Sequence, residues 1–106
     1  MEILFRTQLL ADLYEGKKVS DKRFKSNPML MKQYVKTVNK LCAVSKTEDM
    51  YASASLNYEK LVGDRVGQSS VRINEQFRLI FEEILSDKEP FQVIIFALEE
   101  ISNHYK

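Results

Sequence analysis

The alternation of hydrophobic and polar positions predicts one strand and two helices in the N-terminal part of the chain. Residues 2–6 (EILFR) have the composition of a short strand. Thr7 then provides an N-cap for a helix that ends at Gly16. Asn27 and Pro28 predict the start of a second helix. Proline is favoured at the first helical position, since the N–H that it lacks would have no partner there. The second helix carries one apolar stripe, which we expect to face a core: Met31, Tyr34, Val35, Val38, Leu41 and Cys42.

The polar stretches that follow the helices predict connections. Residues 17–26 are charged and are expected to form a loop. Residues 45–56 are weakly patterned, with room for one short turn of helix. Residues 57–62 predict a strand that ends at a turn beginning with Gly63.

Alternation with a period of two predicts a hairpin in the C-terminal half. Residues 71–73 and 77–81 alternate between apolar and polar types around a polar tip at residues 74–76. A turn at 86–90 precedes residues 93–98, a run of β-branched and aromatic residues typical of a strand buried on both faces. Because the helices come first and the strands follow, we expect an α+β fold. In this fold two N-terminal helices pack on a mainly antiparallel sheet of four to five strands.

The size and cysteine content narrow the class of protein. The 106 residues fit a single domain, residues 1–106, and the hydrophobic content of 44% is ordinary for a globular chain. Cys42 is the only cysteine, so we expect a reducing compartment and no cysteine-based metal site. No segment approaches the roughly 20 apolar residues that cross a bilayer. The N-terminus also lacks the pattern of a signal peptide, and we expect a cytoplasmic protein with no membrane partner.

The charge is unevenly distributed along the chain although the net charge is only +1. Residues 1–46 contain ten basic and four acidic residues, a net +6, whereas residues 47–106 contain six basic and eleven acidic residues, a net −5. This asymmetry predicts a basic face that meets phosphate or an acidic partner protein. An equally good interpretation is that the two helices are simply lysine-rich and solvated.

Two arginines are expected to lie side by side on the hairpin. If the tip is residues 74–76, Arg72 pairs with Arg78 on one face, and the apolar positions take the core face. Like charges directly opposite each other in a sheet are unfavourable, and a bound anion would relieve this repulsion. Guanidinium groups suit phosphate because they donate two parallel hydrogen bonds. The alternative is that each arginine pairs with a carboxylate of a neighbouring strand, such as Glu59 or Glu99.

His104 is the only histidine, and it lies near the C-terminus. Cleavage of a phosphodiester without a metal needs a base, an acid, and cations that stabilise the charged transition state. Histidine titrates in the range suited to such proton transfers. A terminal strand would bring His104 towards the arginines. An exposed side chain without a catalytic role is the alternative for a lone histidine.

The order and spacing of several motifs resemble HigB toxins, which belong to the RelE/ParE superfamily and are also called plasmid maintenance killer proteins. The matching motifs are the strand with Lys60, the Gly-Asp-Arg-x-Gly turn at 63–67, Ser-x-Arg-Ile-Asn at 70–74, Gln-aromatic-Arg at 76–78, and the C-terminal histidine. The resemblance covers residues 57–106 and extends to residues 1–46 only as a helical pattern.

Two positions depart from the family pattern. Val62 stands where the family commonly has lysine before Gly-Asp, and Lys60 is expected to substitute because it lies two residues earlier on the same strand face. Tyr105 follows His104, whereas many HigB toxins end in Asp-Tyr-His.

The resemblance implies a RelE-like fold and cleavage of messenger RNA on the translating ribosome, with no metal and no cofactor. It implies a helix-turn-helix antitoxin of the HigA kind as partner, which also binds operator DNA. The residues to which it assigns a catalytic role are Arg72, Arg78, His104 and Lys60. The residues expected to contact RNA are Arg65, Gln76 and Tyr105.

Two other functions fit the same resemblance. A ParE-like module that binds and inhibits DNA gyrase is favoured by the low net charge and the altered C-terminal motif. A non-toxic chain that only binds the antitoxin and regulates its operon is the third possibility.

Overall fold

The computed structural model describes residues 1–103, which form a five-stranded sheet with helices packed on one face. The strands are β1 (Glu2–Phe5), β2 (Glu59–Lys60), β3 (Gln68–Arg72), β4 (Phe77–Leu85) and β5 (Val93–Asn103). The helices are α1 (Gln8–Glu15), α2 (Lys22–Lys25) and α3 (Pro28–Cys42). Short 3-10 turns cover Thr47–Ala52, Ala54–Leu56 and Gly63–Arg65.

The strands lie in the order β1-β5-β4-β3-β2. β1 runs parallel to β5, and the other neighbouring strands are antiparallel. The parallel pair is possible because the long segment between β1 and β5 carries the chain back to the same end of the sheet. The expectation of an α+β fold with a mainly antiparallel sheet of four to five strands is confirmed.

Both long helices begin where the capping residues predict. The Thr7 hydroxyl accepts a hydrogen bond from the Leu10 N–H at 3.2 Å, and the Asn27 side chain accepts one from the Leu30 N–H at 3.1 Å. Gly16 ends α1 with φ +78°, a left-handed conformation that glycine adopts without strain. Side-chain acceptors thus satisfy donors that have no partner within the first turn of each helix.

The core lies between α1, α3 and one face of the sheet. Tyr34 of α3 is fully buried, and its hydroxyl donates to the backbone carbonyl of Leu10 in α1 at 2.8 Å. Burial raises the pKa of the Tyr34 phenol. Sheet residues complete the core: Val71, Leu79, Phe81, Phe96 and Leu98. No helix within residues 1–103 is long and apolar enough to cross a membrane.

Two expectations about the helical part are corrected. Residues 17–26 do not form a loop throughout, because Asp21 caps α2, and this short helix buries Phe24 in the core. Cys42 is exposed, and it is the last residue of α3. Adjacent helix positions point about 100° apart, and Leu41 takes the inward position at this end of α3.

The strand expected at residues 57–62 is also shorter than expected. Only Glu59–Lys60 pairs with β3, and the chain then leaves the sheet. Val62 is 83% exposed and begins the 3-10 turn Gly63–Arg65. Within β2, the pairing of Glu59 with Ser70 and of Lys60 with Ser69 determines the face that each side chain takes.

Candidate functional site

The hairpin arginines lie on the face of the sheet opposite the helices, which we call the open face. In the β3–β4 register Arg72 pairs with Arg78, and Val71 pairs with Leu79 in the core. The alternation predicted for the hairpin is therefore confirmed. The charged residues of the open face include Arg6, Glu59, Arg65, Arg72, Arg78, Glu82 and Glu100.

Arg78 is the most enclosed charge on this face, with 7% of the residue exposed. Its Nε donates to the Ser70 hydroxyl at 2.9 Å, and its Nη2 donates to the Asn57 carbonyl at 2.7 Å. Nη2 also lies 3.7 Å from the Glu59 carboxylate, so the alternative interpretation, pairing with a carboxylate of a neighbouring strand, is confirmed for Arg78. Burial lowers the pKa of Arg78, Glu59 opposes this effect, and Arg72 adds to it. These contacts hold the guanidinium group in one orientation.

Arg72 is the accessible member of the pair, with 41% of its side chain exposed. Its Nη2 lies 3.7 Å from the Glu75 carboxylate, and its Nε donates to the Asn74 carbonyl at 3.4 Å. Both partners belong to the hairpin tip. Exposed ion pairs of this kind are worth about 0–1 kcal/mol, so the Arg72 guanidinium can exchange Glu75 for another anion at little cost.

Arg65 reaches across the open face from its 3-10 turn. Its Nη1 donates to the Glu100 carboxylate on β5 at 3.1 Å and to the Gln68 side chain at 3.3 Å. Arg6, which follows β1, makes the corresponding contact at the other edge, 3.0 Å from the Glu82 carboxylate. Each arginine of the open face therefore has a carboxylate within 4.0 Å.

Lys60 is not brought to the arginines. Because side chains alternate along β2, Glu59 takes the open face and Lys60 takes the helix face, where its Nζ lies 3.5 Å from Glu83. Glu83 also accepts hydrogen bonds from Ser69, at 2.8 Å, and from Tyr58. Burial and the contact with Glu83 raise the pKa of the Tyr58 phenol. The expected substitution of Lys60 for a lysine at position 62 does not place it beside Arg78.

The remaining predicted site residues lie at or beyond the ends of the described strands. Gln76 is exposed at the hairpin tip, and its N–H donates to the Asn74 side chain at 2.8 Å. His104 and Tyr105 lie outside the described residues, 1–103. The neighbour of Arg78 on β5 is Ser102. In residues 1–103, no group of three or more His, Cys, Asp and Glu side chains is arranged to hold a metal ion.

Two residues that orient Arg78 were missed by the sequence reasoning. Ser70 shares the face of Arg72 by the two-residue period of β3, so its position was available from the sequence. The position of the Asn57 carbonyl could not be predicted from the sequence, because it depends on a left-handed backbone conformation at Asn57, with φ 45°. Asn tolerates this conformation better than most residues, but composition alone does not fix where it occurs.

Comparison of the structure with solved proteins identifies its fold. A YoeB/ParE toxin from Agrobacterium tumefaciens is 19% identical, with a TM-score of 0.53, over 99% of this chain and 100% of that chain. YafQ from E. coli strain BL21(DE3) is 17% identical, with a TM-score of 0.56, over 97% of this chain and 92% of that chain. A chain of the YoeB–YefM complex from Staphylococcus aureus is 22% identical, with a TM-score of 0.50, over 99% of this chain and 98% of that chain.

These similarities define the class of fold and no more than that. The chain has the α+β fold of the RelE-like toxins, as the sequence analysis expected. No protein-family model matches the sequence, and no curated protein matches it either. Because one fold hosts different activities, the function depends on the side chains of the open face.

Proposed function

We propose that this chain is the toxin of a type II toxin–antitoxin pair, a HigB-like endoribonuclease that cleaves messenger RNA on the translating ribosome in the cytoplasm. The observation that carries the proposal is the direct pairing of Arg72 with Arg78 on the open face. The RelE-like fold supports it, because the solved neighbours include a YoeB/ParE toxin. We take residues 1–106 as one toxin domain.

The two arginines have complementary surroundings for binding a phosphate. Arg78 is held by Ser70 and Asn57, so its guanidinium needs no reorganisation when negative charge develops nearby. Arg72 is partly exposed, and its ion pair with Glu75 at the hairpin tip is weak. A phosphate between the two guanidinium groups would relieve the repulsion of like charges paired across the strands.

The reaction that fits this arrangement is transfer of the phosphate within the RNA. A base removes the proton of the ribose 2′-hydroxyl, and the 2′-oxygen attacks phosphorus. The bond to the 5′-oxygen breaks, and an acid protonates this leaving oxygen. The products are a 2′,3′-cyclic phosphate and a 5′-hydroxyl end. We assign charge stabilisation to Arg72 and Arg78, and proton transfer to His104, since histidine suits both roles at neutral pH.

The other predicted residues take supporting parts in the proposal. Arg65 and Gln76 flank the paired arginines and would contact the RNA on either side. Tyr105 is proposed to stack on a base. Lys60 is not included in the reaction, because it lies on the helix face with Glu83. We propose an antitoxin of the HigA kind, which also binds operator DNA, as partner. The YoeB–YefM complex from Staphylococcus aureus supports an antitoxin as partner, without indicating its kind.

Induction of the chain in cells, followed by mapping of transcript ends, tests the proposal. We expect growth arrest with new 5′-hydroxyl ends inside translated sequences. The Arg78→Lys variant keeps the charge but loses the fork of donors, and we expect it to lose these ends. Lys36→Gln changes an exposed residue of α3 and serves as the matched control. Growth arrest with intact transcripts would overturn the nuclease proposal.

A second candidate function is a gyrase-inhibiting module of the ParE kind. The observation in its favour is the row of carboxylates on the open face, since Glu59, Glu82 and Glu100 repel the phosphates of a nucleic acid but attract basic side chains of a protein. A supercoiling assay with purified chain separates the two functions, because only the gyrase inhibitor would reduce supercoiling. Absence of any growth arrest would instead favour the non-toxic regulator.

A further inference from the structure

The helical side of the molecule carries an open groove that the proposed function does not use. It lies between α1, the segment that follows it, and α3, and its volume is about 680 Å³. Apolar side chains form its floor: Leu13, Val19, Met31 and Val35. Val19, Met31 and Val35 are only partly buried, so the apolar surface of α3 and of the segment that follows α1 continues out of the core and into the groove.

Lysines surround this apolar floor. They come from three segments, namely the loop that follows α1, α2, and α3: Lys17, Lys18, Lys25 and Lys32. Lys17 pairs with Glu15 at 3.0 Å, an exposed contact of little energy. Within residues 1–103, Lys18, Lys25 and Lys32 have no carboxylate within 4.0 Å. The described lining likewise contains no acidic side chain.

We propose that this groove binds an acidic amphipathic helix of a partner protein. An amphipathic helix lays its apolar face into a groove between two helices, using residues spaced i, i+3, i+4 and i+7. The floor offers the apolar surface for these residues. The lysines on more than one side of the floor would pair with carboxylates that flank the apolar stripe, and this complementarity speeds association and selects the partner.

The arrangement of lysines around an apolar floor favours an acidic protein helix over other anionic ligands. RNA would gain from the lysines but would leave the apolar floor without a partner, because phosphate and ribose are strongly hydrated. An anionic lipid carries its charge at one end, whereas the groove has lysines from three segments around it. The groove is separate from the open face, so the binding proposal stands whether or not the chain cleaves RNA.

The test measures binding of a defined peptide to the full chain by fluorescence anisotropy. The probe is a synthetic helical peptide of about 18 residues, with leucines at i, i+3, i+4 and i+7 and glutamates on both flanks. We expect saturable binding that weakens as salt is raised. The Lys32→Glu variant should bind about tenfold more weakly, and Lys36→Glu should change affinity by about twofold or less. Both residues are exposed on α3, but only Lys32 lines the groove.

The location of binding is checked by the side-chain methyl resonances. Met31 and Val35 should shift when the peptide is added, whereas Val71 in the core of the sheet should not. Failure of the glutamate peptide to bind would overturn the proposal. Equal binding of a peptide with lysines in place of the glutamates would overturn it as well. Lys32-dependent binding of single-stranded RNA or of anionic vesicles, in place of the peptide, would show a different class of ligand and would also overturn it.

Discussion

The open face and the helical groove each carry several cationic side chains, but they hold these charges in opposite ways. On the open face each arginine lies within 4.0 Å of a carboxylate, and Arg78 is almost completely enclosed. Around the groove, three of the four lysines have no such partner among residues 1–103. The open face therefore holds its guanidinium groups in fixed orientations, but its paired charges exert little net attraction on an anion. The lysines around the groove attract anions, but their ammonium groups are not held in fixed positions.

This difference locates the charge asymmetry of the sequence in the structure. The basic residues that give residues 1–46 a net charge of +6 lie largely on the helical side, and not on the sheet face that carries the paired arginines. Arginine and lysine are also divided between the two regions according to their chemistry. A planar, permanently charged fork suits a positioned phosphate, whereas a hydrated ammonium on a flexible stem suits a partner with several carboxylates.

Alkaline pH is expected to give the largest effect, because each region rests on a buried tyrosine. Tyr34 joins α3 to α1 beneath the groove, and Tyr58 supports β2 through Glu83. Both phenols have raised pKa values in the folded chain. The unfolded chain therefore loses these protons first, and stability falls above about pH 10 by roughly 1.4 kcal/mol per pH unit for each tyrosine. Below that pH their contribution is fully present.

Single variants separate the two tyrosines. Tyr34→Phe and Tyr58→Phe should each remove about half of this alkaline loss, measured by urea denaturation at a series of pH values. Unchanged slopes in both variants would show that neither phenol is linked to folding.

Replacing one cation in each region should give the next largest effect. Arg78→Met is expected to lower the free energy of unfolding by about 2–3 kcal/mol, because the Ser70 hydroxyl and the Asn57 carbonyl lose their donor. Lys32→Met should change it by about 0.5 kcal/mol or less, since Lys32 is exposed. Chemical denaturation measures both values. Equal changes in the free energy of unfolding for the two variants would contradict the distinction between the hydrogen-bonded charge of Arg78 and the exposed charge of Lys32.

The smallest effect is expected when one carboxylate is neutralised in each region. Glu100→Gln releases Arg65 on the open face, and we expect single-stranded RNA to bind about threefold more tightly, with a steeper dependence on salt. Glu15→Gln releases Lys17 beside the groove and is the matched control, because both ion pairs are exposed and about equally short. Filter binding at several salt concentrations gives the affinities. A larger gain for Glu15→Gln would place RNA on the helical side.

Much of the fold followed from local patterns in the sequence. The caps at Thr7 and Asn27 mark the helix starts, and alternation around the tip at 74–76 gives the register that pairs Arg72 with Arg78. These features depend on neighbouring residues only. For this reason a single sequence was sufficient to predict them.

The parts of the site that could not be predicted depend on where the chain enters and leaves the sheet. The face taken by Lys60 is set by the register that pairs it with Ser69 of β3, and no pattern in residues 57–62 marks that register. The contact of Arg78 with the Asn57 carbonyl requires the long-range path of the chain. The groove likewise arises only when α1 and α3 are packed together, although its lysines were visible as a basic stretch.

The most direct test of the paired-arginine site is the cleavage rate of a defined messenger RNA on the ribosome, under single-turnover conditions. Arg72→Gln changes an exposed side chain whose contacts are local to the hairpin tip, so its effect reports on the reaction more than on folding. We predict that the rate falls about 100-fold or more, while Lys36→Gln cleaves at the rate of the unchanged chain. Cleavage by Arg72→Gln at the unchanged rate would contradict the assignment of the open face as the reaction site.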